Sequence, residues 1–290
     1  MIPLLITIDL ETAMDHVLSE QSEIIVRLFK EFSELGIVST SFVTSEFATR
    51  FSAQIQSTNH SANEYGLHGR DHSVRENYCH MTKEEIESNI HASYDIVAEV
   101  TQSVPNCFRG PFMSTSSSTQ QVLIGKKIRA DYSVCSQRFD FINSRGGSLS
   151  WLTSPRTVYH PSIENPYRRG ELPLWVIPLS CIGIPFISGI MYMFGLSFMK
   201  YFFRLLFAES MKTGKPIVYL FHTYEFSEQV SKANQSSTYS KKSPIHSLYI
   251  RDRKKRYEMN LDLIKYMMSF DDIQLFKNSD YLRYIEEIIK

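Results

Sequence analysis

The sequence predicts an α/β fold of parallel βα units in a single domain, and three observations predict it. Short apolar, β-branched runs alternate with segments of helical periodicity along the chain. Candidate chemical groups stand where the apolar runs end, the active-site face of parallel α/β folds. No repeat recurs at a fixed period, and the one polar, low-complexity stretch, at about 229–245, reads as a mobile loop rather than a linker.

Each element has its own signal. Residues 3–9 form a buried strand ending in an acid. Over 22–35, Ile24, Ile25, Leu28, Phe29 and Phe32 line one helical face, and Gly36 stops the helix. Residues 37–44 are apolar and β-branched, a second strand. Thr82 with Glu85 three residues later is a capping box for a helix over 83–100. A helix over 198–211, a strand over 216–221 and a helix over 254–268 follow. Residues 273–289 read as a strand, a turn and a helix.

The composition narrows the functional classes. The chain has 290 residues, 43% of them hydrophobic, so a large core is expected. Lysine plus arginine and aspartate plus glutamate number 31 each, so bulk charge gives no support for nucleic-acid binding. Cys79, Cys107, Cys135 and Cys181 form no CxxC pair and no disulfide framework. With no cationic segment ahead of an apolar run at the N-terminus, the expectation is a reducing, cytoplasmic setting. Residues 172–199 carry no charge and are long enough to raise the question of a membrane span. Pro173, Pro178, Pro185, Gly183, Gly189 and Gly195 interrupt them, which argues for loops and a helix beside the barrel mouth. An exposed apolar patch there, touching the inner face of a membrane peripherally, is weighed equally against plain core.

Five short motifs carry groups suited to catalysis. Asp9 and Glu11 stand at the end of the first strand and could divide metal binding from proton transfer. His68 and His72, at i and i+4, would share one face of a helical turn and offer imidazoles to a metal. Arg109, in Arg-Gly-Pro-Phe, could hold a carboxylate with its rigid fork of donors. Asp131, in Asp-Tyr-Ser, could orient a histidine or simply end a strand. His222 ends an apolar strand, with Glu225 close behind. Taken singly, each has an ordinary structural reading.

Their order, however, resembles the polysaccharide deacetylase (NodB-homology) family, also called carbohydrate esterase family 4. The family's acidic strand end, HxxxH pair, RxPF/Y turn, DxS segment and terminal LxH appear here as TIDLE, HGRDH, RGPF, DYS and LFH, spread from Thr7 to His222. The segments STSFV and MTKEEIESNI are also similar to the family, and the likeness covers nearly the whole chain. Two positions depart from it. Leu10 stands where the family usually has its metal-binding aspartate, a form resembling the subgroup of cytoplasmic deacetylases and the lipid-linked formamido-arabinose deformylase. Val134 stands in place of a common tryptophan.

The resemblance implies a distorted (β/α) barrel of about seven parallel strands. It implies hydrolysis of an N-acetyl or N-formyl sugar, in surface polysaccharide or glycolipid synthesis, on a polymeric, lipid-linked or nucleotide-linked substrate. A linear non-sugar amide and an inactive glycan-binding relic are the alternatives. The resemblance also implies one divalent metal on Glu11, His68 and His72, zinc first and cobalt, nickel or manganese after it. Asp9 and Asp15 stay open as the acidic ligand. Asp9 would be the base, oriented by Arg109, and His222 the acid, kept charged by Asp131. The two would flank the metal from opposite sides, and the backbone N–H of Phe112 would meet the oxyanion.

Overall fold

In the computed structural model, residues 1–12, 18–58, 62–138, 149–228 and 253–289 are described. The loop expected at 229–245 and the alternative ligand Asp15 lie outside them. The first strand, β1 (Ile2–Leu10), is buried along its whole length and organises the sheet. One edge pairs with β2 (Ser39–Val43) through Thr7–Leu10, and below that with β10 (Ile273–Leu275) through Ile2–Leu4. The other edge pairs with β9 (Ile217–His222) over Leu4–Asp9. Beyond β2 come β3 (Asn63–Leu67), β4 (Cys107–Phe108), β5 (Ala130–Asp131) and β6 (Trp175–Val176), every pairing parallel. Seven parallel strands thus curl into a half-barrel in the order β6-β5-β4-β3-β2-β1-β9, with β10 beside the lower part of β1.

Strand alternation divides the apolar side chains into two layers. Leu4, Ile6, Ile8 and Leu10 of β1, with Ile217, Tyr219 and Phe221 of β9, face outward. There they meet α1 (Leu18–Glu34) and the other covering helices. Leu5, Phe42, Cys107, Ala130, Tyr132, Val218 and Leu220 fill the interior. In β1 the residues sharing parity with Leu5 are Thr7, Asp9 and, one step past the strand, Glu11. In β9 the residue sharing parity with Val218 and Leu220 is His222. The apolar alternation that builds the core therefore also turns these polar groups inward.

The remaining elements connect the strands. Two short helices, α2 (Ser45–Arg50) and α3 (Ser52–Gln56), follow β2. The capping box is present: the Thr82 hydroxyl accepts from the Glu85 amide and the Glu85 carboxylate from the Thr82 amide, opening α4 (Lys83–Thr101). α5 (Ser117–Gly125) sits between β4 and β5.

The uncharged stretch 172–199 forms the wall between β6 and β9. Ile177 N–H bonds to Asp131 O and Leu179 N–H to Val134 O on one side. On the other, Leu220 N–H bonds to Phe186 O and Val218 N–H to Ser180 Oγ. A small hairpin, β7 (Cys181–Ile182) and β8 (Ile184–Pro185), lies within this segment. Then α6 (Ser188–Phe194) and α7 (Leu196–Thr213) lead back down to β9. Most of the stretch is core, including Leu174, Ile177, Phe186 and Met191, while Ile182 and Phe194 are exposed. No helix among the described residues is long and apolar enough to cross a membrane. The chain closes with α8 (Arg256–Met268), β10 and α9 (Asn278–Ile289).

Candidate active site

Asp9 is almost wholly buried and tightly held. Its Oδ1 accepts from Arg109 Nη1 at 2.7 Å, and Arg109 Nη2 donates to Thr7 Oγ1 at 3.0 Å. The Arg109 guanidinium is itself 1% exposed and lies over the Phe42 ring, 4.3 Å from its centroid. A buried cation so packed has little freedom, so the Asp9 carboxylate is fixed in direction. Its second oxygen faces His68 Nε2 at 3.7 Å and His222 Nε2 at 3.8 Å. The expected base and acid are therefore neighbours, not groups on opposite sides of the metal: both project inward from the paired positions Asp9 and His222 of adjacent strands.

Glu11 lies at the centre of the imidazoles. Its Oε2 is 3.2 Å from His68 Nε2 and 3.0 Å from His72 Nε2. Burial would push the Glu11 carboxyl up. The charge of His72 and the hydrogen bonds from His68 and His72 outweigh it and hold the group well below the usual carboxylate range. For His72, burial is outweighed by the charge and hydrogen bond of Glu11, and the imidazole is pushed up. His68 Nδ1 is 2.6 Å from the Arg109 carbonyl oxygen, which can only accept. Nδ1 therefore donates, which orients the ring and turns Nε2, the atom that would be offered to an ion, toward the two acids.

One ligand atom from each of Glu11, His68 and His72 falls within 4.8 Å of the other two. With bonds of about 2.0–2.2 Å, tetrahedral zinc spaces its ligand atoms roughly 3.4 Å apart, so the donor set suits such an ion. Leu10, between the two acids, points outward into the core, where an acid would be buried against hydrocarbon.

The HGRDH segment reaches this geometry without a helical turn. His68 continues β3, then Gly69 (φ +74°) and His72 (φ +55°) take left-handed conformations, and the chain loops back. The i and i+4 spacing still converges because this loop, not a helix, returns the second ring. The Arg-Gly-Pro-Phe turn is also unusual, with Phe112 and Met113 both at positive φ. It aims the Phe112 N–H toward His72 Nε2, at 3.4 Å, and packs the Phe112 ring 4.4 Å from that imidazole.

Asp131 does not reach His222. Ala130 and Tyr132 point into the barrel, so Asp131 between them points out. Its oxygens accept from Thr115, Gln120 and the Ser133 amide. Burial pushes its carboxyl up. Its service to the site is indirect, since the Ser133 hydroxyl in turn accepts from Gly110 N–H in the Phe112 turn.

The partner of His222 is Glu225. A single 3₁₀ turn after β9 brings its carboxylate to 3.3 Å from His222 Nδ1. Glu225 also accepts from Ser188 (2.5 Å) and Tyr192 (3.3 Å) of α6, so the uncharged stretch supports the catalytic wall directly. Burial would lower the His222 pKa. The hydrogen bond and charge of Glu225, helped by Glu11 and Asp9, raise it instead to about 9. The visible signal for Glu225 was its place three residues after His222, one turn away.

Known proteins share this fold. The polysaccharide deacetylase family model matches residues 5–130, which include Asp9, Glu11, His68, His72, Arg109 and Phe112. No curated protein matches the chain. Among solved structures, a protein of Mycobacterium smegmatis assigned as a polysaccharide deacetylase is 13% identical, with TM-score 0.65, over 99% of this chain and 91% of its own. The PuuE allantoinase is 15% identical, with TM-score 0.63, over 98% and 90%. A Pseudomonas aeruginosa protein assigned as a polysaccharide deacetylase is 14% identical, with TM-score 0.60, over 98% and 91%. These likenesses extend the fold across nearly the whole chain, and the family match covers the strands that carry most of the site; over residues 5–130 the protein is similar to the polysaccharide deacetylase family.

Proposed function

We propose that the protein hydrolyses the amide of an N-acylated sugar, releasing acetate or formate, with one divalent metal ion held by Glu11, His68 and His72. One observation carries the reading: a fixed carboxylate, Asp9, faces both a His-His-acid cluster and a charged imidazole, His222, across less than 4 Å. Two imidazoles and a carboxylate suit zinc first, then cobalt, nickel or manganese. Such an ion supplies Lewis-acid polarisation and lowers the pKa of water.

The protein's own groups do the rest. Asp9, locked by Arg109, accepts the proton of the attacking water. The Phe112 N–H donates to the oxyanion that develops on the acyl carbonyl. His222, kept protonated by Glu225, gives its proton to the leaving nitrogen, which would otherwise depart as a poor amide anion.

We place the substrate among lipid-linked or nucleotide-linked sugars of surface polysaccharide or glycolipid assembly. Exposed Phe194 supports a peripheral membrane contact, because α7 runs antiparallel to β9 and its start lies at the His222 end of the barrel. Flotation with anionic vesicles, lost in Phe194→Ser, tests that contact. Two alternatives use the same pocket: a linear non-sugar amide, and glycan binding without turnover. The deciding experiment supplies the zinc-loaded protein with N-acetyl and N-formyl sugar donors and with ureide amides, and measures acetate, formate or amine release. Ureide cleavage alone would favour the first alternative, and sugar binding with no release the second.

A further inference from the structure

We propose that Glu76 is a positioning residue for His72, holding the loop that carries this imidazole into the metal centre; the inference rests on the metal reading above. Glu76 lies outside every motif discussed so far and is 3% exposed. Its carboxylate accepts from three successive backbone amides, those of Arg70, Asp71 (2.9 Å) and His72 (2.8 Å). Successive amides that converge in this way form an anion-binding nest, and here the anion is built into the chain.

Among the described residues these amides have no other acceptor. The loop's carbonyls are taken by α2, whose first residues donate from Ser45 N–H to Gly69 O and from Glu46 N–H to Arg70 O. Carbonyls tied to α2 and amides tied to Glu76 account for the backbone that leads to His72. That backbone needs the help, because His72 sits at φ +55°, a region that a residue with a Cβ enters at a cost.

Gly69 belongs to the same device. A Cβ there would stand 2.4 Å from Glu76 Oε1 and 2.8 Å from its Cδ, and its φ is +74°. Glycine is thus required both for the turn and for the approach of the carboxylate. Glu76 N–H closes the loop by donating to Ser73 O, and the Tyr78 hydroxyl stands 3.3 Å from the carboxylate, walling it from solvent.

The test is zinc affinity, measured by chelator competition on the folded chain. Glu76→Gln keeps the volume but turns an amide donor toward amide donors. Groups that orient a ligand typically change metal affinity about 10–100-fold, and a loss of that size is expected. Circular dichroism and the apoprotein melting temperature should stay near wild type. Amides 70–72 of the apoprotein should lose protection from hydrogen exchange. In a His72→Ala background the same substitution should cost no further affinity, because the ring it positions is gone. Should Glu76→Gln fail to fold, Glu76→Asp, which withdraws the carboxylate by one methylene, replaces it in every arm.

Wild-type zinc affinity in the variant, or a loss that adds fully to that of His72→Ala, overturns the inference alone. A wild-type chain that takes up no zinc, cobalt, nickel or manganese overturns the metal reading and this inference with it.

Discussion

Replacing Glu225 by glutamine should uncouple His222 from its proton while leaving the barrel intact. The variant keeps the size of the side chain and an oxygen to receive Ser188 and Tyr192, but removes the charge 3.3 Å from His222 Nδ1. In the metal-free site His222 is raised from 6.5 to about 9 although burial opposes the shift, and Glu225 is the main cause. At about 1.4 kcal/mol per pKa unit, that rise corresponds to roughly 3 kcal/mol between the charged and neutral imidazole. Without Glu225, burial is opposed only by the charges of Glu11 and Asp9, and the apparent pKa should fall.

The same change acts on stability. Because the folded-state pKa lies above the unfolded one, the contribution of His222 is complete below about pH 6.5 and is lost as pH rises through 9. Wild-type stability should therefore decline over that window, and Glu225→Gln should flatten the decline. Imidazole proton NMR of the apoprotein reads the pKa, and urea unfolding at pH 6 and pH 9 reads the stability. Amide turnover at pH 8 should drop about 10²–10⁴-fold, the usual scale of general acid catalysis. An unshifted His222 titration in Glu225→Gln would refute the reasoning.

Four further outcomes are expected. His222→Ala should slow a sugar amide about 10²–10⁴-fold but an aryl acetate much less, since the phenolate leaves without protonation; equal losses would remove His222 as the acid. Asp9→Asn should abolish turnover of both substrates while metal, quantified by mass spectrometry, stays bound; lost metal would make Asp9 a ligand. Glu11→Gln should release the metal at micromolar chelator, and retention would pass the role to another acid. Gly110→Ala should destabilise the chain by about 2 kcal/mol in urea unfolding, an overpacking cost, because the new Cβ would meet Ser114 O at 1.9 Å; wild-type stability would contradict the described turn.

The long elements were legible because their patterns are long. Helices α1 and α4 and strands β1 and β9 each carry enough periodic residues to fix type and face. Asp9, Glu11 and His222 inherited their inward direction from that pattern. The role of Asp131 was not legible, because β5 has two residues and offers no alternation from which to read a side. Such short strands are set by closure of the sheet and not by local preference. The spacing of His68 and His72 suggested a helix, yet Gly69 and the Glu76 nest impose a loop that gives the same convergence. The stretch 172–199, because it lacks charge, weighed equally as plain core and as an exposed patch. It lacks charge mainly because it fills the gap between the outer strands of the half-barrel.

The double pairing of β1 also governs how the molecule is made. This strand completes its edges only with residues 217–222 and 273–275. Pairings that span more than two hundred residues fold slowly, since loop closure must precede any gain from contact. Until β9 arrives, Leu4–Asp9 presents an open apolar edge to any other strand nearby. A fragment ending at residue 130 would hold Asp9, Glu11, His68, His72 and Arg109 but lack both β9 and His222. It would be an aggregating peptide and not a minimal hydrolase. The apolar edge of β1 thus depends for its cover on chain more than two hundred residues away.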